Sequence, residues 1–266
     1  MDWTPEAIAR FWDHMAGQEV YFSKILGSAL LEVLQTLGPL HERRLFDYGC
    51  GRGDLSAHVL RAGAWVAGGD ISPGSAAAAN ERFVEETRWL GARVMEDGLI
   101  SWPQDEFDRA TCIETVEHIP IGPRETMLSE LLRVLKPAGL LLVTTPNEEN
   151  MALSTVCCPA CGAEFHTVQH IHRYTAASLS QLLVEQGFEI LFCRGVLLDA
   201  LRYPPYKPWY LRPRYLLRRL RWHVAGLLDR LAPMPVGQAR ALSWGLAPGA
   251  NLVAIARKPA GSRVTA

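Results

Sequence analysis

Two carboxylates and an imidazole fall within five residues at Glu114-Thr115-Val116-Glu117-His118. Groups of these types, this close, can take a proton from a hydroxyl or hold a divalent cation that lowers the hydroxyl's pKa. Their plainer use is structural, with Glu114 and Glu117 capping the next helix and His118 in an ordinary loop hydrogen bond. A second set is Cys157-Cys158-Pro159-Ala160-Cys161-Gly162, followed by His166, His170 and His172. Cys158, Cys161, His166 and His170 read C-x2-C-x4-H-x3-H, a spacing that suits a closed, tetrahedral structural zinc. His170 could instead serve the Glu114 and Glu117 site, and His172 is left to face it. The third set is a glycine turn, Asp47-Tyr48-Gly49-Cys50-Gly51-Arg52-Gly53-Asp54, with Asp70 ending the next apolar run. Glycines let a backbone bend sharply and approach a ligand. A carboxylate in the position of Asp70 accepts hydrogen bonds from two ribose hydroxyls. The G-x-G-x-G spacing departs from the G-x-G-x-x-G of dinucleotide turns, and Asp54 would repel a pyrophosphate at the helix N-terminus. A ligand presenting an ammonium and a sulfonium suits it better.

These groups need a scaffold, and the pattern of apolar runs provides one. Residues 45–48, 65–70, 93–95, 107–113, 139–145, 188–192 and 251–256 read as strands. Between them, helical spacing covers 54–62, a run from Pro73 toward Trp89, 124–135 and 175–187. Ser72-Pro73 is a helix start, with serine as N-cap and proline at the first helical position. Residues 5–37 carry two further helices. The alternation predicts an α/β fold with a doubly wound, mainly parallel sheet. Such sheets hold nucleoside-bearing ligands at the carboxyl ends of their strands. The chain divides into N-terminal helices over 1–38, a sheet domain over 39–258 and a tail over 259–266. Insertions at 147–172 and 197–248 interrupt the domain.

Composition narrows the classes. The chain has 266 residues, is 48% hydrophobic and carries a net charge of −1, which argues against nucleic acid as a partner and leaves the oligomeric state open. No apolar run approaches the roughly 20 residues of a bilayer span. The opening residues lack the basic and apolar regions of a signal peptide, and three of six cysteines are scattered, so a reducing cytoplasm is expected. Residues 202–230 interleave seven arginines and a lysine with tyrosines, tryptophans and leucines. A helical lid over an acceptor site is the first reading. Peripheral contact with the inner membrane surface is the second, and a phosphate backbone the third.

Asp47 to Gly53, Gly69-Asp70-Ile71-Ser72, Phe107-Asp108 with Glu114 to Ile119, and Leu132 to Gly139 occur in an order and spacing that resemble class I S-adenosylmethionine-dependent methyltransferases. The resemblance covers residues 40–195 and 250–258. It is nearest to the branch that includes the ubiquinone-biosynthesis O-methyltransferases. It implies a Rossmann-like, seven-stranded sheet with one antiparallel strand. It implies that Gly49, Gly51 and Gly53 line the methionine part of the cofactor, that Asp47 helps hold its amino group, that Asp70 binds the ribose and that Asp97 or Gly98 meets the adenine. Ile71 and Ile113 are counted with these cofactor residues. The E-x-x-E-H segment, Thr145-Pro146-Asn147 and a later histidine also resemble metal-dependent 2′-O-methyltransferases of small-RNA ends. The expected activity is methyl transfer to an oxygen of a small or lipid-linked acceptor. His118 is the first candidate base, with Glu114 and Glu117 as its partners or as ligands of a divalent cation. A metal-dependent RNA 2′-O-methyltransferase, a nicotinamide-dependent oxidoreductase and a non-catalytic zinc-bearing module are the alternatives.

Overall fold

A computed structural model describes residues 3–16, 22–202, 211–246 and 248–261. The last five residues of the tail, and Tyr206, Lys207, Trp209 and Tyr210 of the arginine-rich segment, lie outside the described residues. Helices α1 (Pro5–Ala16) and α2 (Phe22–Thr36) precede β1 (Arg44–Tyr48), α3 (Asp54–Arg61), β2 (Trp65–Asp70), α4 (Pro73–Arg82) and β3 (Trp89–Val94). Then come β4 (Phe107–Ile113), α5 (Ile121–Val134), β5 (Leu135–Pro146), the short β6 (Thr155–Cys157) and β7 (Glu164–His166), α6 (Ala176–Glu185), β8 (Glu189–Val196), α7 (Pro213–Leu231) and β9 (Asn251–Arg257). Seven strands form one sheet in the order β3-β2-β1-β4-β5-β9-β8. β9 runs antiparallel to both neighbours, and the other pairs are parallel. This is the doubly wound, Rossmann-like arrangement expected.

Both faces of the sheet are covered, because successive strand residues point to opposite sides. Leu45, Leu140, Leu142, Val253 and Ile255 pack with α2 and α3 on one face. Phe46, Ala110, Leu141, Val143 and Ala254 pack with α5 and α6 on the other. Strand order reverses beside β1, so the ends of β1, β2, β4 and β5 open a crevice on one edge of the domain.

Several boundaries differ from expectation. α4 starts as read, with the Ser72 hydroxyl accepting from the Ser75 N–H at 3.0 Å, but it stops at Arg82. The Asn80 side chain then accepts from the Ala92 N–H at 2.7 Å and donates to the Ala92 carbonyl at 2.9 Å, stitching the helix to a strand that begins at Trp89. β3 is an edge strand, half exposed and interrupted by Gly91 at φ 98°, so it shows no apolar run. β5 starts at Leu135, ahead of the Pro137 expected to precede it, where its pairing with β4 shifts register. Among the described residues, no helix is long and apolar enough to cross a membrane.

Candidate active site

The chain leaves β1 through three left-handed glycines, Gly49 at φ 70°, Gly51 at φ 52° and Gly53 at φ 77°. A Cβ at Gly49 would strike the Thr115 side chain, and one at Gly53 would strike the Phe83 ring. The turn is tied to the end of β2. The Gly51 N–H donates to Asp70 Oδ2 at 2.8 Å, and the Ser72 N–H donates to Asp70 Oδ1 at 2.9 Å. Each oxygen keeps a lone pair for a ligand. Burial pushes the Asp70 carboxyl above its ordinary range, and the two N–H donors pull it back. Asp70 lines a cleft of about 350 Å³ together with Gly49, Gly51, Ile71, Asp97, Gly98 and Ile113. These are the expected cofactor positions, brought together from four loops.

Asp47 and Gly53 were expected there and do not line the cleft. Asp47 is 2% exposed, and it accepts hydrogen bonds from Ser56 Oγ at 2.9 Å and Thr111 Oγ1 at 2.7 Å. Burial raises it to about 6, against the pull of those two hydroxyls. Its carboxylate fastens α3 to β1 and β4 from behind the turn. Gly53 serves as the left-handed N-cap of α3.

The other end of the cleft is lined by Glu114, His118 and His170, with Glu117 fully buried behind them. Glu114 sits at φ 47°, a left-handed conformation unusual outside glycine, which aims the chain from β4 into the turn 116–118. His118 Nδ1 lies 3.2 Å from the Gln169 carbonyl. A carbonyl only accepts, so Nδ1 carries the proton and Nε2 keeps its lone pair. His170 Nδ1 lies 2.5 Å from Glu149 Oε2, and the same argument leaves its Nε2 bare. Both bare nitrogens approach Glu117 Oε1, at 3.9 Å for His118 and 4.0 Å for His170. Those separations are too long for hydrogen bonds. Neither Glu117 oxygen has a hydrogen-bond partner, nor does Glu114 Oε1. Burial raises both glutamic acids, more strongly Glu117, where the neighbouring Glu114 charge adds to it, and the Thr144 hydroxyl at Glu114 and the Glu117 N–H and Thr145 hydroxyl at Glu117 pull back against it. Burial, with the facing His170, lowers His118 to about 3. The ligand atoms of Glu117, His118 and His170 all lie within 4.8 Å of one another.

The expected zinc set does not assemble. Cys158 and Cys161 stand on the turn of the β6–β7 hairpin, closed by Cys158 N–H to Ala163 O and Gly162 N–H to Cys158 O, both 2.8 Å. Backbone N–H groups of Cys161 and Ala160 lower the Cys158 thiol, as does the Cys161 thiol. His166 and His170 instead stack on each other and face Glu149, and no cysteine joins that group. His166 Nδ1 accepts from the Val168 and His170 N–H groups at 3.4 and 3.3 Å, and its Nε2, 3.4 Å from Glu149 Oε1, has no hydrogen-bond partner. Glu149, His166 and His170 bring their ligand atoms within 4.8 Å of one another, without the cysteines. His172 is spent, with Nε2 2.9 Å from the Ile119 carbonyl.

α1 closes the cleft from above. Trp12 lies edge-on to His118, its Nε1–H donates to Gln169 Oε1 at 2.8 Å, and Gln169 Nε2 donates to the His118 carbonyl at 2.9 Å. Asp13 accepts from the Ser72 hydroxyl and from the Gly74 N–H at 3.3 Å, docking α1 on α4. Trp12, Asp13, Glu149 and Gln169 were not singled out by sequence reasoning. Only Trp12, in the apolar spacing of α1, left a trace. The arginine-rich insertion is helical, as expected, but among the described residues none of 197–248 lines the cleft. The lid is α1 with the segment around Val168 and His170.

The cleft's charge selects its cofactor. Asp70 and Asp97 line it, and among the described residues no lysine or arginine does. Such a lining suits a cationic sulfonium donor and repels a pyrophosphate. A family model described as "Methyltransferase domain" matches residues 21–191. A ubiquinone biosynthesis O-methyltransferase of Alkalilimnicola ehrlichii is 32% identical over 142 residues, 53% of this chain and only 56% of that protein. One of Xanthomonas euvesicatoria is 28% identical over 213 residues, 77% of this chain and 83% of that protein. The structure of Burkholderia thailandensis 1,6-didemethyltoxoflavin-N1-methyltransferase with S-adenosylhomocysteine aligns at a TM-score of 0.60 and 14% identity, covering 97% of this chain and 92% of that one. The glycine turn, the acid-lined cleft and the family match agree, and the chain belongs to the methyltransferase-domain family of S-adenosylmethionine-dependent methyltransferases.

Proposed function

We propose that the protein transfers the methyl group to a hydroxyl of a small or lipid-linked acceptor, at a corner built to hold a divalent cation. One observation carries this reading. Glu117 is fully buried with both oxygens unpartnered, facing two imidazoles whose bare nitrogens point at it. Burying such a carboxylate is costly unless a positive charge compensates it. Glu117, His118 and His170 are the donor set a divalent cation takes. When bound there, the cation would lower the pKa of an acceptor hydroxyl. Glu149 holds the His170 ring with its free nitrogen inward, the outer support that orients a ligand histidine. The O-methyltransferase relatives favour an oxygen acceptor, and their name, ubiquinone biosynthesis, favours one with a lipid tail.

The chain's own groups divide the work. The turn and Asp70 fix the donor, so the acceptor oxygen can approach the methyl carbon in line with the breaking carbon–sulfur bond. The oxygen–carbon bond forms as the sulfonium becomes a neutral thioether, and the hydroxyl proton must leave. His118, lowered to about 3, is a poor proton acceptor near neutral pH. Glu114 lines the cleft with an unpartnered oxygen, and burial raises its carboxyl to about 8, so in its ionised form it is the stronger proton acceptor and takes the base role from His118. α1 and Trp12 keep bulk water from the pair.

A lipid-linked acceptor brings the enzyme to the inner face of a bilayer, and α7, in the described part of the arginine-rich segment, is fitted to that contact. Methyl-labelled S-adenosylmethionine, supplied with a total lipid extract or with soluble hydroxylated aromatics, tests the reading. Label on an oxygen in either fraction, lost with a chelator and restored by added magnesium or zinc, is the expected result. Label appearing only on RNA, or transfer indifferent to the chelator, refutes it.

A further inference from the structure

We propose that helix α7 is an in-plane anchor that seats the protein on an anionic bilayer surface. α7 lies outside residues 21–191, the span shared with the family. Its buried side is narrow. Tyr215, Trp222 and Ala225 pack onto the domain, with Trp222 closed over Gly245. The opposite side carries Leu216, Leu217, Leu220, Val224, Leu227, Leu228 and Leu231, all exposed, Leu220 at 59% and Leu231 at 74%. These are seven of the eighteen exposed large apolar side chains among the described residues, gathered in a helix of 19. At about 100° per residue they share an arc of about 120°. An apolar face of that size is not left to water without a partner.

The charge beside the stripe says which partner. Arg214 and Arg221 fall on one flank, His223 and Arg230 on the other, and Arg212 caps the start. The only acid of the helix, Asp229, faces inward and accepts from the Ala241 N–H at 3.0 Å and from the Arg240 N–H at 3.1 Å. A leucine stripe between cationic flanks matches acyl chains beneath anionic headgroups. A second copy of this chain would bring the same arginine flanks together, which is unfavourable. The chain as a whole carries a net charge of −1, so the attraction belongs to this face alone. The contact gives the proposed transfer a place of work. It rests on the lipid-linked reading of the acceptor only for that purpose, not for its physical basis.

The test uses the full chain and vesicles, with neither cofactor nor acceptor present, so it stands apart from any failure of the catalytic reading. Wild type is expected to pellet with vesicles of phosphatidylcholine and phosphatidylglycerol, and far less with phosphatidylcholine alone. Raised salt should weaken the pelleting. Leu220→Ser with Leu227→Ser removes two exposed side chains without touching the core and is expected to reduce pelleting to the vesicle-free background. Arg214→Gln with Arg221→Gln should weaken binding roughly 30-fold, at about 1 kcal/mol for each arginine near such a surface. S-adenosylhomocysteine binding should be unchanged in both variants, which also shows that they fold. Equal pelleting of the leucine variant and wild type overturns the proposal. So does wild type that ignores anionic vesicles, or a leucine variant whose only change is the loss of a dimer in light scattering.

Discussion

Buried carboxylates stand at both ends of the cleft, and the fold treats the two pairs in opposite ways. At the cofactor end every oxygen of Asp47 and Asp70 accepts from a named donor, two hydroxyls for the first and two backbone N–H groups for the second. At the acceptor end three of the four oxygens of Glu114 and Glu117 make no well-formed hydrogen bond, and only the Thr145 hydroxyl and the Glu117 N–H stand near enough to pull Glu117 down. The first pair pays for its burial with its own hydrogen bonds. The second does not, and a polar group left so costs about 1–3 kcal/mol, more when charged. The difference separates a rigid cradle, complete in itself, from a corner completed by what binds there.

Removing the unpartnered acid tests that contrast most severely. Glu117→Gln should lower methyl transfer by at least about 100-fold, since outer partners of metal ligands alone are worth roughly 10–100-fold. Bound divalent metal, read by mass spectrometry, should fall with it. Without metal, the variant's melting temperature should hold or rise, because an uncompensated buried acid has gone. A clear fall in that temperature would mean that Glu117 has a structural partner, and the contrast would fail.

Asp47 should behave in the opposite way. Its folded carboxyl is raised by burial to about 6, from an ordinary 3.8. The fold therefore favours the protonated form. That contribution is full below the unfolded pKa and is lost as pH climbs through about 6, on the order of 2–3 kcal/mol in all. Asp47→Asn should flatten this part of the stability-against-pH curve, in urea melts from pH 4 to 7, and should leave metal content alone. An unchanged slope would remove Asp47 from the linkage.

Sequence reasoning read these two ends unequally, for a physical reason. The cradle is local. Gly49, Gly51 and Asp70 are constrained by backbone shape and by the strand they end, so type and spacing reveal them. The acceptor corner is made by distant contact. His170 reaches Glu117 from 53 residues away, and Glu149 matters only because it turns the His170 ring. The C-x2-C spacing was visible, but no spacing announces that His166 and His170 turn to Glu149 rather than to the cysteines. The apolar stripe of α7 was visible as composition, and only the buried Trp222 fixed which side faces out.

A smaller change should separate the cradle's two tasks. Asp70→Ala removes the acceptor for any ribose hydroxyl and frees the Gly51 and Ser72 N–H groups. Affinity for S-adenosylhomocysteine should fall roughly tenfold, the value of one charge-assisted hydrogen bond. Titration calorimetry reads it, and the metal content of the far corner should not move. Unaltered affinity would leave Asp70 as a fastener of the turn and nothing more.

The smallest effect should come from the cover. Trp12 donates to Gln169 Oε1 at 2.8 Å, and Gln169 in turn holds the His118 carbonyl, so α1 and the acceptor corner share one amide. Trp12→Phe keeps most of the edge-on packing against His118 and deletes the donor. Gln169, fully buried, then has an oxygen without a partner, at a cost of about 1 kcal/mol. That corresponds to roughly a fivefold loss in kcat/KM for the acceptor, because the helix that excludes water is held less firmly. Cofactor affinity should not change, since neither hydrogen bond touches the glycine turn. An equal loss for both substrates would show that α1 orders the whole cleft as one unit, and the independence of its two ends would be broken.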